Sequence, residues 1–343
     1  MVCDFLLKLF KMSEIQSQFM TPVANKTISA LKSTSSKTFG NTPLVIPPSP
    51  FMKKLGCGTF VTVYRYKRID PSGDIASPWA LKKAKHGHAR KSIKERLTNE
   101  AEILRSLNHP NIVAFKNFCQ TSQGDMYLSM EDCGKGLDNI IMNKQQDDDM
   151  FTSTQILKVS YSLAKALDYL HNIKKLLHGD LKSGNVLVKD NFSQVKLCDF
   201  GVSIFLKDDL SGPTNENASY VGSEPWISRE VIEDSIITDK ADIFAYGLVI
   251  WEMLALDVPH VALMTELADL DGSFSDTSNS SLTYQAYYDA LGTRPPLPDH
   301  VYDKSYESVI AIFVCCTNEN YKERPNAKCL VESVSLTIDN MEV

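Results

Sequence analysis

The sequence predicts a two-lobed α+β fold, with a small β-rich lobe over about residues 51–133 and a larger helical lobe over about 134–336. Three observations point there. Ile156, Val159, Leu163, Leu167 and Leu170 recur at three- and four-residue steps from near Thr152 onward, the period of an amphipathic helix with one face on a core. Upstream, Leu55-Gly56-Cys57-Gly58-Thr59-Phe60-Val61-Thr62-Val63 places a glycine-rich turn before the strand-like Trp79-Ala80-Leu81-Lys82. Further on, Val186-Leu187-Val188 and Val195-Lys196-Leu197 supply the two strands of a short hairpin between two polar loops. A chain of 343 residues and 38.3 kDa suits one such unit plus a tail.

Taken in order, residues 1–50 read as a flexible tail. Phe5, Leu6, Leu7, Leu9 and Phe10 are interrupted by Asp4, Lys8 and Lys11 with no small-residue cleavage site after them, so a signal peptide is not expected. Residues 13–50 are rich in Ser, Thr, Pro and Lys and hold too little apolar surface to order themselves. Thr21-Pro22, Thr42-Pro43 and Ser49-Pro50 there are candidate sites for an upstream proline-directed kinase. On the helix after the first strands, Leu97, Ile103, Leu104 and Leu107 should face the core, which leaves Glu100 as the preferred carboxylate partner for Lys82 over Glu95 and Glu102. Lys83, on the opposite face of the strand, is expected to be a solvated surface charge. Residues about 265–289 look like an inserted solvated loop, with Asp269, Asp271, Asp276 and Asp289 among Ser, Thr and Asn, and with Tyr284, Tyr287 and Tyr288; docking of a basic partner is the other reading. Residues 337–343 form a C-terminal tail in which Met341-Glu342-Val343 alternates apolar residues before a carboxylate, a candidate PDZ-domain ligand by strand addition.

Composition excludes several classes. A formal charge of -6 leaves no basic footprint for nucleic acid. No stretch approaches the roughly 18 apolar residues of a membrane span. The eight cysteines lack metal-finger spacing, and Cys315 and Cys316 are adjacent, so they read as reduced thiols of a cytoplasmic, and also nuclear, protein.

Leu177-His178-Gly179-Asp180-Leu181-Lys182-Ser183-Gly184-Asn185, followed by Asp199-Phe200-Gly201, resembles the catalytic and magnesium loops of eukaryotic protein kinases, and the likeness extends from about Phe51 to Leu336. A closer match to MAP kinase kinase-like members is carried by Ser49-Pro50-Phe51-Met52, Leu176–Asp180, Gly222-Ser223-Glu224-Pro225-Trp226 and Ala290-Leu291-Gly292-Thr293-Arg294-Pro295-Pro296. This resemblance implies an ATP- and Mg2+-dependent enzyme acting on Ser/Thr of protein substrates, with Tyr as a further acceptor and an association with mitosis. Asp180 would accept the hydroxyl proton, Lys182 would sit beside the transferred phosphoryl, and Asn185 and Asp199 would hold magnesium as oxygen ligands. Leu55, Gly56, Cys57, Gly58, Thr59 and Val63 would cover the nucleotide, with Val61 where a third glycine is usual. Lys82, paired to Glu100, would contact the phosphates, and Met130 would line the adenine pocket beside Glu131-Asp132-Cys133. Cys57 and Cys198 would lie near the nucleotide.

Within the same resemblance, Asp242 on a buried helix through Met253 would bond the backbone of the catalytic loop, and Glu230 would pair with Arg324. Ser223 would bond Asp180 and Lys182. Gly179 replaces the usual arginine ligand of an activation-loop phosphate, so dependence on phosphorylation at Ser211, Thr214, Ser219 or Tyr220 should be weak. Thr21 is the favoured phosphorylation site, and Met12-Ser13-Glu14 resembles a family start, making Met12 an alternative to Met1. A scaffold that binds partners without phosphoryl transfer is the alternative, opposed by retention of Lys82, Asp180, Asn185 and Asp199.

Overall fold

Val61-Thr62-Val63-Tyr64-Arg65-Tyr66 is dense in β-branched and aromatic residues, which suit a pleated surface, and it forms the centre of strand β2 (Val61–Ile69). In the computed structural model, which describes residues 52–57, 61–69, 75–84, 91–121, 125–263 and 285–341, β2 lies between β1 (Met52–Cys57) and β3 (Ile75–Ala84). With β4 (Phe115–Gln120) and β5 (Met126–Glu131) they make an antiparallel sheet in the order β1-β2-β3-β5-β4. Register places Lys82 opposite Val63 on one side and Leu128 on the other. Helix α1 (Lys91–Ser106) packs on β4 and β5 through Leu97, Ala101 and Leu104.

The second lobe is mostly helical, with α2 (Leu137–Gln146), α3 (Ser153–Asp168), α4 (Arg229–Ile232), α5 (Lys240–Ala255), α6 (Glu307–Cys316) and α7 (Ala327–Met341). Thr152 starts α3 with a reciprocal cap: its side chain accepts from Gln155 N, and the Gln155 side chain accepts from Thr152 N. Ile156, Val159, Leu163 and Leu167 of α3 are all buried, and Leu170 is buried in the wider turn that follows. Every residue of α5 from Ala241 to Leu254 is buried, which explains its nearly uninterrupted apolar sequence. Short strands β6 (Lys135–Gly136), β8 (Val186–Lys189) and β9 (Gln194–Leu197) form one small sheet, while β7 (Leu176–Leu177) pairs with β10 (Ile204–Phe205). One continuous core joins Leu97 and Leu104 of the first lobe to Leu163, Tyr246 and Val249 of the second.

Three expectations need revision. Lys83 is half-buried: its ammonium meets Asp125 at 3.0 Å and lies 5.0 Å from the Tyr127 ring centroid, because β3–β5 register sets it opposite Tyr127. At the end of the expected acidic loop, residues 285–290 are helical and Tyr287 is only 6% exposed, so an aromatic ring there is recruited to the interior. Residues 264–284 lie outside the described residues. Helix α7 runs on to Met341, past the expected domain edge at Leu336, so most of the expected tail is helical. No described helix is long and apolar enough to cross a membrane. The described cysteines 119, 133, 198, 315, 316 and 329 are unpaired.

Candidate active site

Strand β3 carries Lys82 into the space between the lobes, where its ammonium lies 2.8 Å from Glu100 Oε2 on α1 and 2.8 Å from Asp199 Oδ1. Glu95 and Glu102 point to the surface, as the apolar periodicity of α1 requires. Burial disfavours the Lys82 charge, but Asp199 and Glu100 outweigh it and hold its pKa well above the usual lysine range. Burial pushes Glu100 up to about 7 against the pull of Lys82, with Asp199 adding repulsion. Burial also opposes the Asp199 charge, yet Lys82 holds this carboxyl below its ordinary value. Lys82 is therefore a fixed cation shared between two carboxylates from different elements.

The segment before β8 gathers a second polar cluster. Asp180 Oδ1 accepts from Ser223 N at 2.9 Å and from Ser223 Oγ at 2.8 Å, while Oδ2 accepts from Lys182 Nζ at 2.9 Å and Asn185 Nδ2 at 3.1 Å. Lys182 also donates to Ser223 Oγ at 2.5 Å, and Asn185 Nδ2 to the Asp180 carbonyl at 2.7 Å. These bonds point the carboxylate in one direction and limit its rotation. Beneath them, Asp242 on α5 accepts from His178 N at 2.8 Å and Gly179 N at 3.0 Å, and bonds His171 Nε2 at 2.8 Å. Burial would raise the Asp242 pKa, but His171 and these donors keep it lowered. Gly179 has φ +78°, a left-handed conformation that L side chains rarely adopt, so glycine suits the position for backbone reasons as well. His178 packs edge-on against Phe200 at 5.0 Å and bonds the Cys198 carbonyl at 3.0 Å, tying this loop to Asp199-Phe200-Gly201.

The donor set fits magnesium. Asn185 spends its amide hydrogens on Asp180, which leaves its Oδ1 without a partner among the described residues, and the Asp199 side chain is 39% exposed. Two hard oxygen ligands beside a lysine suit an ion that takes its remaining positions from water and phosphate. No cluster of three or more His, Cys, Asp or Glu able to hold a metal ion by itself occurs among the described residues.

Of the expected nucleotide-covering residues, Leu55 is 36% exposed at the edge of β1, Gly56 and Cys57 end that strand, and Val63 lies half-buried on β2. Gly58 and Thr59 lie outside the described residues, as does the Cys57 side chain. Met130 is 7% exposed on β5 opposite Ala80, within the continuous core. Burial pushes the Cys198 thiol far above the usual range, which argues against a reactive thiolate beside Asp199. Thr21, Thr42 and Ser49 lie outside the described residues. Ser211, Thr214 and Ser219 are exposed, whereas Tyr220 is half-buried against a small cluster of Leu177, Ile204, Leu206 and Ala241.

Sequence reasoning missed Glu252. This α5 carboxylate, 2% exposed, accepts from Ser183 N at 3.1 Å, from Trp226 Nε1 at 2.9 Å and from the Ser183 hydroxyl. Its only signal was a charged residue within an apolar helix, and its partners lie far along the chain.

A family model described as the protein kinase domain matches residues 50–334. The human lymphokine-activated killer T-cell-originated protein kinase is 44% identical over 320 residues, covering 91% of this chain and 98% of that protein. A probable serine/threonine-protein kinase of Dictyostelium discoideum is 29% identical over 83% of this chain and 25% of its own length. Mitogen-activated protein kinase kinase kinase 13-B of Xenopus laevis is 34% identical over 50% of this chain and 17% of its own length.

Proposed function

The chain belongs to the protein kinase family, and on that premise we propose that it transfers the γ-phosphoryl group of ATP to serine and threonine hydroxyls of protein substrates. The observation that carries this reading is the convergence of Asp180, Lys182, Asn185 and Ser223 within one hydrogen-bonded cluster, beside the Lys82–Asp199 pair. In this proposal Asp180 orients the acceptor hydroxyl and takes its proton. Lys182, moving from Ser223 to the arriving phosphoryl, offsets developing charge. Lys82 binds the upstream phosphates, held in line by Glu100. Magnesium, when bound through Asp199 and Asn185, supplies charge neutralisation on the phosphate oxygens. Catalysis then rests mainly on positioning and electrostatics, since the carboxylate is already aimed by its four donors.

The finer assignment is a MAP kinase kinase-like enzyme that also accepts tyrosine, works in the cytoplasm and nucleus, and is associated with mitosis. The Gly222–Trp226 and Leu176–Asp180 segments support it by family likeness. We also propose an upstream proline-directed kinase acting at Thr21, Thr42 or Ser49, and a PDZ-domain partner for the C-terminal residues. The last turn of α7 would have to unwind for strand addition to such a domain.

Phosphoamino-acid analysis of a basic protein and a peptide array, comparing wild type with Asp180→Ala, tests the main reading. Phosphoserine and phosphothreonine should form only with wild type, and phosphotyrosine in the same digest would support the wider acceptor range. Tight ATP binding without any transfer would sink the reading.

A further inference from the structure

A cavity of about 510 Å3 lies where β1 and β2 of the first lobe meet α2 and β8 of the second, and the proposed reaction leaves it unused. Its floor is apolar: half-buried Ile140 of α2, Val188 near the end of β8 and Phe192 in the turn that follows, with Leu55 of β1 at the upper edge. Its rim is basic. Lys53 and Arg65 are partners across the β1–β2 pair, and Lys135 is the partner of Val188, next to Lys189. Arg65 is neutralised by the Asp132 carboxylate 2.5 Å away. Lys53, Lys135 and Lys189 are exposed and have no ion-pair partner among the described residues, and Asp190 is the one acid on the rim. Three ammonium groups against one carboxylate leave an excess of two positive charges, on a chain whose formal charge is -6.

The backbone brings these groups together. Gly134 has φ +95°, and a Cβ there would stand 2.4 Å from the Val188 carbonyl oxygen, so the chain packs directly on β8 and sets Lys135 beside Lys189. Asp190, Asn191 and Phe192 follow with φ of 50°, 51° and 67°, three successive left-handed residues, none of them glycine. Such a run is costly for L residues. It turns Phe192 inward to meet Phe151 edge-on at 5.9 Å and leaves Asp190 and Asn191 on the rim. Core packing accounts for the floor but not for the rim, because like charges gathered on one surface repel until an anion arrives.

A concavity that is apolar below and cationic around selects a ligand with the opposite arrangement. A small anion would leave Ile140 uncovered, and a purely apolar segment would leave the ammonium groups unmatched. We propose that this cavity docks an acidic segment of a partner protein, with one or two aliphatic side chains against Ile140 and Val188 and flanking glutamate or aspartate carboxylates on Lys53, Lys135 and Lys189. Of the residues assigned to the nucleotide only Leu55 touches the cavity, so docking and ATP binding are separable. The inference does not depend on phosphoryl transfer and stands apart from the proposed function.

The test uses the full chain and an array of short peptides in which aliphatic and acidic positions vary independently, followed by fluorescence anisotropy with the best-retained peptide. That peptide should carry both residue classes. Lys135→Glu with Lys189→Glu should weaken it at least ~10-fold, Lys135→Ala with Lys189→Ala should weaken it less, and Ile140→Ala should weaken it about 3-fold. Affinity should fall as salt is raised, and ATP affinity should stay within about 2-fold of wild type in every variant. The inference is overturned if no peptide with both classes outbinds those with one, or if the charge reversals leave binding unchanged. Equal binding after serine replaces the aliphatic residues would reduce the cavity to an anion site and overturn it. Competitive displacement by ATP would assign the cavity to the nucleotide instead. A wild-type dimer in sedimentation that the charge reversals dissociate would show that a second copy covers this face, which also overturns the inference.

Discussion

The Asp180 carboxylate is oriented before any substrate arrives, because both of its oxygens are occupied by donors from Ser223, Lys182 and Asn185. Asp180→Asn preserves much of the size and some of the bonding but removes the proton acceptor. Its kcat should fall at least ~10²-fold while ATP affinity stays near wild type, by steady-state kinetics and direct ATP titration. A loss of only a few fold would remove Asp180 from the role of base. Glu252 gives a second residue-level expectation, in stability. Its folded pKa of about 7 exceeds the ordinary 4.5, so the folded state holds this proton more tightly than the unfolded chain. The corresponding stability is fully present below the ordinary value and is lost as pH rises through about 7. The total is about 3 kcal/mol, of which about 1 kcal/mol falls between pH 6 and pH 8. Denaturant midpoints across that window should decline less steeply for Glu252→Gln than for wild type. Equal slopes would show that the carboxyl is not strained by burial.

Between elements, the strongest tie is the fork of Arg324, just before α7, on Glu230 of α4. Its two nitrogens lie 2.7 and 3.0 Å from the two carboxylate oxygens, Ser228 Oγ donates to the same carboxylate at 2.8 Å, and both charged side chains are buried. Arg324 further donates to the carbonyls of Asn318 and Lys240, and its guanidinium lies 4.8 Å from the Phe244 ring. Arg324→Ala strands a buried carboxylate and should destabilise by about 3–5 kcal/mol, measured by chemical denaturation. Retained stability would mean that water or another cation satisfies Glu230. The α3 cap is a smaller device. Thr152→Ala removes one half of the reciprocal bond and should cost about 1 kcal/mol, with no change in ATP affinity.

At the scale of the molecule, the loop from Asp199 to Glu230 is held by packing and backbone pairing: β10 pairs with β7, Ser203 Oγ donates to the His178 carbonyl at 3.0 Å, and Leu206 is buried with Ile204 and Ala241. Gly179 brings no arginine to receive a phosphate. The combined variant Ser211→Ala, Thr214→Ala, Ser219→Ala and Tyr220→Phe should therefore keep activity within a few fold, with phenylalanine preserving the half-buried ring. Loss of activity in that variant would restore phosphorylation as the ordering event. The sequence by itself determined the residues whose chemistry is expressed in short runs, Asp180 to Asn185 and Asp199 to Gly201, and the helix whose periodicity declares a buried face, α3. It also singled out Glu100, because the apolar residues of α1 leave one carboxylate turned inward. Only the tertiary structure decided that Glu252 joins Ser183 to Trp226 across 69 and 26 positions, that Lys83 finds Asp125, that Tyr287 is buried, and that α7 reaches Met341. Local pattern records which face of an element is apolar, but the partner of a buried polar group depends on which distant segment packs there, and no period in the chain encodes that choice.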